Sequence, residues 1–176
     1  MEMVPDKSAV IQNLIERLEK ELALLVESAK AAHEAATHEE AKSEDKHDTR
    51  ATEASYLARG QAARVAEIER MVLEYKGYAE QAHRTMDRIQ PGAIVVLQAV
   101  GLPSDDCPSG DKTTTWFFAQ SGGGTALSAS PGFSSAITVI TPQSPLGEAL
   151  AGLVAGDTAE LETPAGVKEY LIKEVR

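Results

Sequence analysis

A chain of 176 residues with 17 Lys/Arg against 27 Asp/Glu carries a net charge of −10, so phosphate neutralisation gives it nothing, and independent nucleic-acid binding is expected to be weak or absent. Cys107 is the single cysteine, which excludes an intrachain disulfide, and the four histidines have no ligand spacing for structural zinc. No window approaches the ~18 apolar residues of a membrane span, and the first residues lack a basic stretch followed by an apolar one. The expectation is a soluble, cytoplasmic, reduced protein with no membrane association and a basic partner surface.

Residues 1–90 hold only three glycines or prolines, Pro5, Gly60 and Gly77, whereas the chain after Gln90 is rich in Gly, Pro, Thr and Val. The shift divides the chain into a helical arm (1–78), a linker (79–90) and a β-rich domain (91–176). In the arm, Ile11, Ile15, Leu18, Leu22, Leu25, Ala29, Ala32 and Ala36 recur at coiled-coil spacing. A second series, Ala51, Ala54, Ala58, Gln61, Val65, Ile68, Val72 and Tyr75, breaks the apolar rule only at Gln61.

Folded back on each other, the two series pair Ile11 with Tyr75 at one end and Ala36 with Ala51 at the other, and every pair of numbers sums to the same value within one. The pattern predicts an antiparallel coiled-coil hairpin on the order of 50 Å long, with its turn at Ser43 and Glu44. Large layers at the base give way to alanine toward the tip, so the arm thins. The seam is satisfied within one chain, which favours a monomer over a coiled-coil adapter.

Five of the twelve residues from Glu39 to Arg50 are carboxylates. Glu44, Asp45 and Asp48 fall at the bend, where they offer oxygen ligands to a divalent cation, though fewer than a protein cage normally supplies. The ordinary reading is a solvated loop in which Asp48 caps the second helix.

Beyond Pro91 and Gly92, strands are predicted at Ala93–Val100, Thr113–Gln120, Ser134–Ile140, Thr158–Thr163 and Val167–Val175. Ser144 is placed to cap a short helix, with Pro145 at its first position and Gly152 at its end. The fold class is α+β: five twisted antiparallel strands with one short helix. Strand alternation sets Trp116 and Phe118 on one face and Phe117 on the other, most of them as core. No histidine follows His83, which excludes a Ser-His-Asp or Cys-His site in this domain.

The run from Ile137 to Asp157 resembles the C-terminal signature of the Gre family of bacterial transcription elongation factors. There a strand leads into Ser-Pro-(Ile/Leu)-Gly-x-Ala-Leu-x-Gly and Gly-Asp, followed by a strand, Thr-Pro-x-Gly and a last strand ending Ile-x-x-Val. Ser144-Pro145-Leu146-Gly147, Asp157, the Thr163–Gly166 turn and the Tyr170–Val175 ending carry the match. The resemblance implies a helical hairpin followed by an FKBP-like domain. It also implies RNA polymerase as partner, with the hairpin entering the secondary channel and the C-terminal domain gripping its rim through Ser144, Pro145, Leu146, Gly147 and Asp157.

Family cleavage factors carry Asp-x-Lys-Glu-Asn at the tip, where the acids help hold a magnesium ion at the polymerase active site. Aligned through Arg64–Glu69, Glu44 falls on the first acid, Lys46 on the lysine, His47 on the second acid and Asp48 on the asparagine. The resemblance thus implies an accessory factor rather than an enzyme. It would have no cofactor of its own, and Glu44, Asp45 and Asp48 would assist cleavage of backtracked RNA by the polymerase, with Glu44 and Asp45 sharing its magnesium. His47 departs from the pattern, because an imidazole cannot replace a carboxylate around a hard cation, and points to the alternative of a channel-occupying, inhibitory or anti-pausing factor. The FKBP-like domain also raises peptidyl-prolyl isomerisation, which sparse aromatics disfavour.

Overall fold

The computed structural model describes residues 6–40, 49–100, 113–128, 135–164 and 166–176. Two helices, α1 (Lys7–Glu40) and α2 (Thr49–Glu80), precede β1 (Ala93–Val100), β2 (Thr113–Phe118), β3 (Ala126–Leu127), β4 (Ile137–Ile140), α3 (Pro145–Leu150), β5 (Thr158–Thr163) and β6 (Gly166–Val175). The chain divides into two compact units, one of residues 14–76 and one of residues 1–13 with 77–176.

The first unit is the antiparallel helical hairpin. Arg64 donates to Glu21 at 3.0 Å, Gln61 to Ser28 at 3.0 Å, and Lys76 pairs with Glu19 at 2.9 Å, so the helices run side by side in opposite directions. Within the unit Ile15, Leu18, Ile68 and Val72 are buried, while Leu22, Leu25, Ala29, Ala32, Gln61 and Val65 are half-buried. Burial thus declines along the seam as side chains shrink. Leu14 and Met71, outside the seam, are buried as well.

In the second unit a six-stranded sheet runs in the order β3-β4-β2-β1-β6-β5. This corrects the expected five antiparallel strands on two points. Strand β2 pairs with β4 in parallel, from Thr115↔Ile137 to Phe118↔Ile140, and β3 adds an edge antiparallel to β4. A parallel neighbour needs a crossover of a dozen or more residues, and the chain between Phe118 and Ile137 supplies it. Two residues are too few for β3 to announce itself by alternation.

Strand β1 lies at the centre, antiparallel to β2 and to β6, and its first five residues are buried. On one face Ala93, Val95 and Leu97 join Ile89, Phe118, Ile140, Leu150, Ala159 and Ile172 in a core that α3 closes. On the other face Phe117 meets Tyr78 edge-on, with ring centroids 5.9 Å apart, and the backbone N–H of Gln120 donates to the Tyr78 hydroxyl at 3.2 Å. The expected split of Phe117 from Phe118 and Trp116 is what brings Tyr78 onto the sheet. Gly92, at φ +94°, passes so close beneath the Tyr78 ring that a Cβ would lie 3.1 Å from it.

Asp6 caps α1, accepting from the Ala9 N–H at 3.2 Å. Lys7 then opens the helix at 7 % exposure, its ammonium donating to the Arg84 carbonyl at 3.4 Å, and burial lowers its pKa from the ordinary 10.5. A cation in a first turn also opposes the helix dipole. The folded state therefore favours neutral Lys7: the burial penalty is in force at neutral pH and is relieved as pH rises through the lowered folded pKa toward 10.5. Lys7→Met should raise stability at neutral pH by up to about 1 kcal/mol, with the gain shrinking toward that alkaline limit; denaturant unfolding of both proteins across this range measures it.

Candidate partner-binding site

The chemistry-bearing residues of the second unit gather where β4 hands over to α3. Thr141 accepts from the Ser144 backbone N–H at 3.0 Å, closing a turn. Ser144, at φ −82° and ψ 149°, then starts the helix, with Pro145 following in its first turn. Its hydroxyl donates to the Thr141 carbonyl at 2.8 Å and accepts from the Gly147 N–H at 3.1 Å, so one side chain satisfies both the turn and a helix N–H that would otherwise lack a partner.

Gly147 is fixed by sterics. A Cβ there would stand 1.9 Å from the Thr141 carbonyl oxygen and 2.9 Å from Ser144 Oγ. Only glycine lets the helix sit this close to the strand end, and that closeness holds Pro145 exposed and Leu146 half-buried beside β4.

Beside the cap opens a pocket of ≈570 Å³ whose walls include Trp116, Thr138, Thr141, Ser144, Pro145 and Leu146. Gly123 and Gly124 form its far wall, Gly124 donating from its N–H to the Val139 carbonyl at 2.9 Å. None of the lining residues is charged, and Trp116 is the one aromatic among them, its indole N–H donating to Thr114 at 3.0 Å. Such a surface can bind an apolar projection, with hydroxyl groups to orient it.

Asp157 sits apart from the pocket, in the turn before β5. Its carboxylate accepts from the Val154 N–H at 2.9 Å, its backbone N–H donates to the Val154 carbonyl, and its carbonyl accepts from the Ile172 N–H at 2.9 Å. Gly156, at φ +96°, completes the turn. The structure thus brings Ser144, Pro145, Leu146 and Gly147 together and keeps Asp157 elsewhere. The tip residues Glu44, Asp45, His47 and Asp48 lie outside the described residues. Among the described residues no group of three His, Cys, Asp or Glu side chains could hold a metal ion, and no helix is long and apolar enough to cross a membrane.

The second unit is thus an α+β domain with a glycine-dependent cap and an uncharged pocket. Residues 132–176 match the family model described as "Transcription elongation factor, GreA/GreB, C-term", so this C-terminal segment is similar to the C-terminal domain of the Gre elongation factors. No curated protein matches the chain significantly. Among solved structures, GreA factor homolog 1 (Gfh1) of Thermus thermophilus aligns at 20% identity over 92% of this chain and 94% of that one, with a TM-score of 0.33. Thermus aquaticus Gfh1 aligns at 20% over 92% of each chain with a TM-score of 0.34, and a further Gfh1 transcription factor structure at 19% over 92% of each with 0.36. Superpositions this loose add nothing to the family match.

The cap makes two stability predictions. Gly147→Ala, driven against a backbone carbonyl, should cost about 3 kcal/mol or more, and Ser144→Ala about 1 kcal/mol. Thermal unfolding followed by tryptophan fluorescence reads both, because Trp116 lines the same pocket.

Proposed function

We propose that the protein is a transcription elongation factor that binds bacterial RNA polymerase, its hairpin entering the secondary channel and its C-terminal domain docking on the rim. The observation that carries this reading is the family match over 132–176, which falls on the segment whose cap builds one wall of the pocket. Pro145 and Leu146 offer the apolar contact, Ser144 and Gly147 hold them in place, and Asp157 fixes the turn into the β5–β6 hairpin. The antiparallel hairpin that precedes the domain supports the same assignment, and the net charge of −10 suits a basic surface near a channel that handles nucleic acid.

At the tip, Glu44, Asp45 and Asp48 are carboxylates, the donor type that hard divalent cations prefer. Glu44 and Asp45 would share a magnesium ion with the polymerase, and such an ion lowers the pKa of bound water and stabilises charge developing on phosphate. The protein's own part is to bring these acids to the polymerase, which cuts its backtracked RNA, so it acts as an accessory rather than an enzyme. A second reading rests on His47, which stands where the cleavage factors' pattern has an acid: the factor occupies the channel and regulates transcription without stimulating cleavage.

Backtracked elongation complexes with the cognate polymerase decide between them. Stimulated cleavage that falls at least about tenfold in Glu44→Ala and in Asp45→Ala/Asp48→Ala supports the acidic-tip reading. Binding without cleavage, with cleavage gained by His47→Glu, supports the regulatory one. Binding unchanged by Pro145→Ala/Leu146→Ala would remove the pocket from the docking surface, and no binding at all would sink the proposal.

A further inference from the structure

Two adjacent residues of α2 weaken the hairpin without any packing reason. Gly60 lies far inside the helix, and a Cβ added to it would meet nothing within 4 Å. Unlike Gly147, it therefore serves no close approach, while glycine in a helix interior frees the unfolded chain and destabilises the helix. Next to it, Gln61 occupies a seam position among apolar residues. Its Nε2 donates to Ser28 Oγ at 3.0 Å, but its Oε1 is buried without a hydrogen-bond partner among the described residues. Turning the amide over would strand a donor there instead, so the layer carries an unsatisfied polar atom either way.

The hairpin differs on the two sides of this layer. Toward the base, Leu14, Ile15, Leu18, Ile68, Met71 and Val72 are buried, and ion pairs Arg64–Glu21 and Lys76–Glu19 tie the helices together. Beyond the layer, Ala29 and Ala32 are half-buried like Leu22 and Val65 before it, but as alanines they remove far less apolar area from water. We propose that Gly60 and Gln61 form a built-in conformational break, at which the distal turns at residues 29–34 and 56–59 open as a unit while the base stays closed. Local opening of this kind follows low apolar burial and interrupted bonding, and it lets the distal segment change course without loosening the base. The inference stands on the hairpin alone and is independent of the functional reading.

Hydrogen exchange of the full chain, resolved by peptide, tests it. In the wild type, amides of Ala29–Glu34 and Tyr56–Arg59 should share one opening rate, separated by a step from the slower amides of Leu14–Leu18 and Ile68–Val72. Gly60→Ala/Gln61→Leu should slow the distal amides at least about tenfold and erase the step, leaving the base within about twofold. Gly77→Ala, at another open glycine, should leave the step in place. A smooth gradient in the wild type, a step that survives the double variant, or equal slowing by Gly77→Ala would each overturn the proposal.

Discussion

Strand β1 has to be covered on both faces while it is paired along both edges, and much of the second unit follows from that. Its apolar run Ala93–Leu97 leaves no side for water, so each face needs its own lid. One is α3, with Leu150 and its neighbours over Val95 and Leu97. The other includes the end of α2, where Tyr78 sets its ring against Phe117 and its hydroxyl on the Gln120 N–H. The composition changes at Pro91, yet the chain is committed to the sheet earlier. Ile89 is 2% exposed, donates to the Leu153 carbonyl and accepts from the Gly152 N–H, each at 2.8 Å, so the polar stretch before the sheet is fastened at its far end.

The pocket inherits its shape from the same arrangement. Helix α3 covers β1 closely because Gly147 lets it settle against the Thr141 carbonyl, and Ser144 locks the turn that precedes it. Along one short helix Leu150 lies in the core, while Leu146 packs against that core and also lines the pocket. A change that lifts the helix would therefore open the core and flatten the pocket together, and Leu146, which lines the pocket and packs against the core, ties the two.

Much of this was legible in the residues, for identifiable reasons. The seam was readable because coiled-coil spacing is a long-range periodic signal, and the described seam positions are the less exposed ones on their turns. Val10, Leu14 and Met71 fell outside it although all are buried: Val10, Ile11, Leu14, Ile15 and Leu18 make a stripe wider than a coiled-coil seam, and a two-position template discards it. Ser144, Pro145 and Gly152 marked α3 because each has a backbone preference that survives any context. The parallel β2–β4 pair and two-residue β3 were hidden, since pairing partners are set by crossover geometry and leave no local trace. The pocket was hidden too, being lined from β2, β4, β5, the glycine turn and α3 at once.

The cap and the tip speak to function in different ways. Ser144, Pro145 and Gly147 are demanded by the fold: Gly147 because no Cβ fits, Ser144 because a turn carbonyl and a helix N–H both need it. Their occurrence in order therefore reports an architecture, and it identifies a function only through the family that uses the architecture. The carboxylates Glu44 and Asp45 of the tip occupy no position of the coiled-coil seam in the sequence. In the proposed function the cap would bear on where the protein docks, while the choice between cleavage and occupancy would turn on the few side chains around His47.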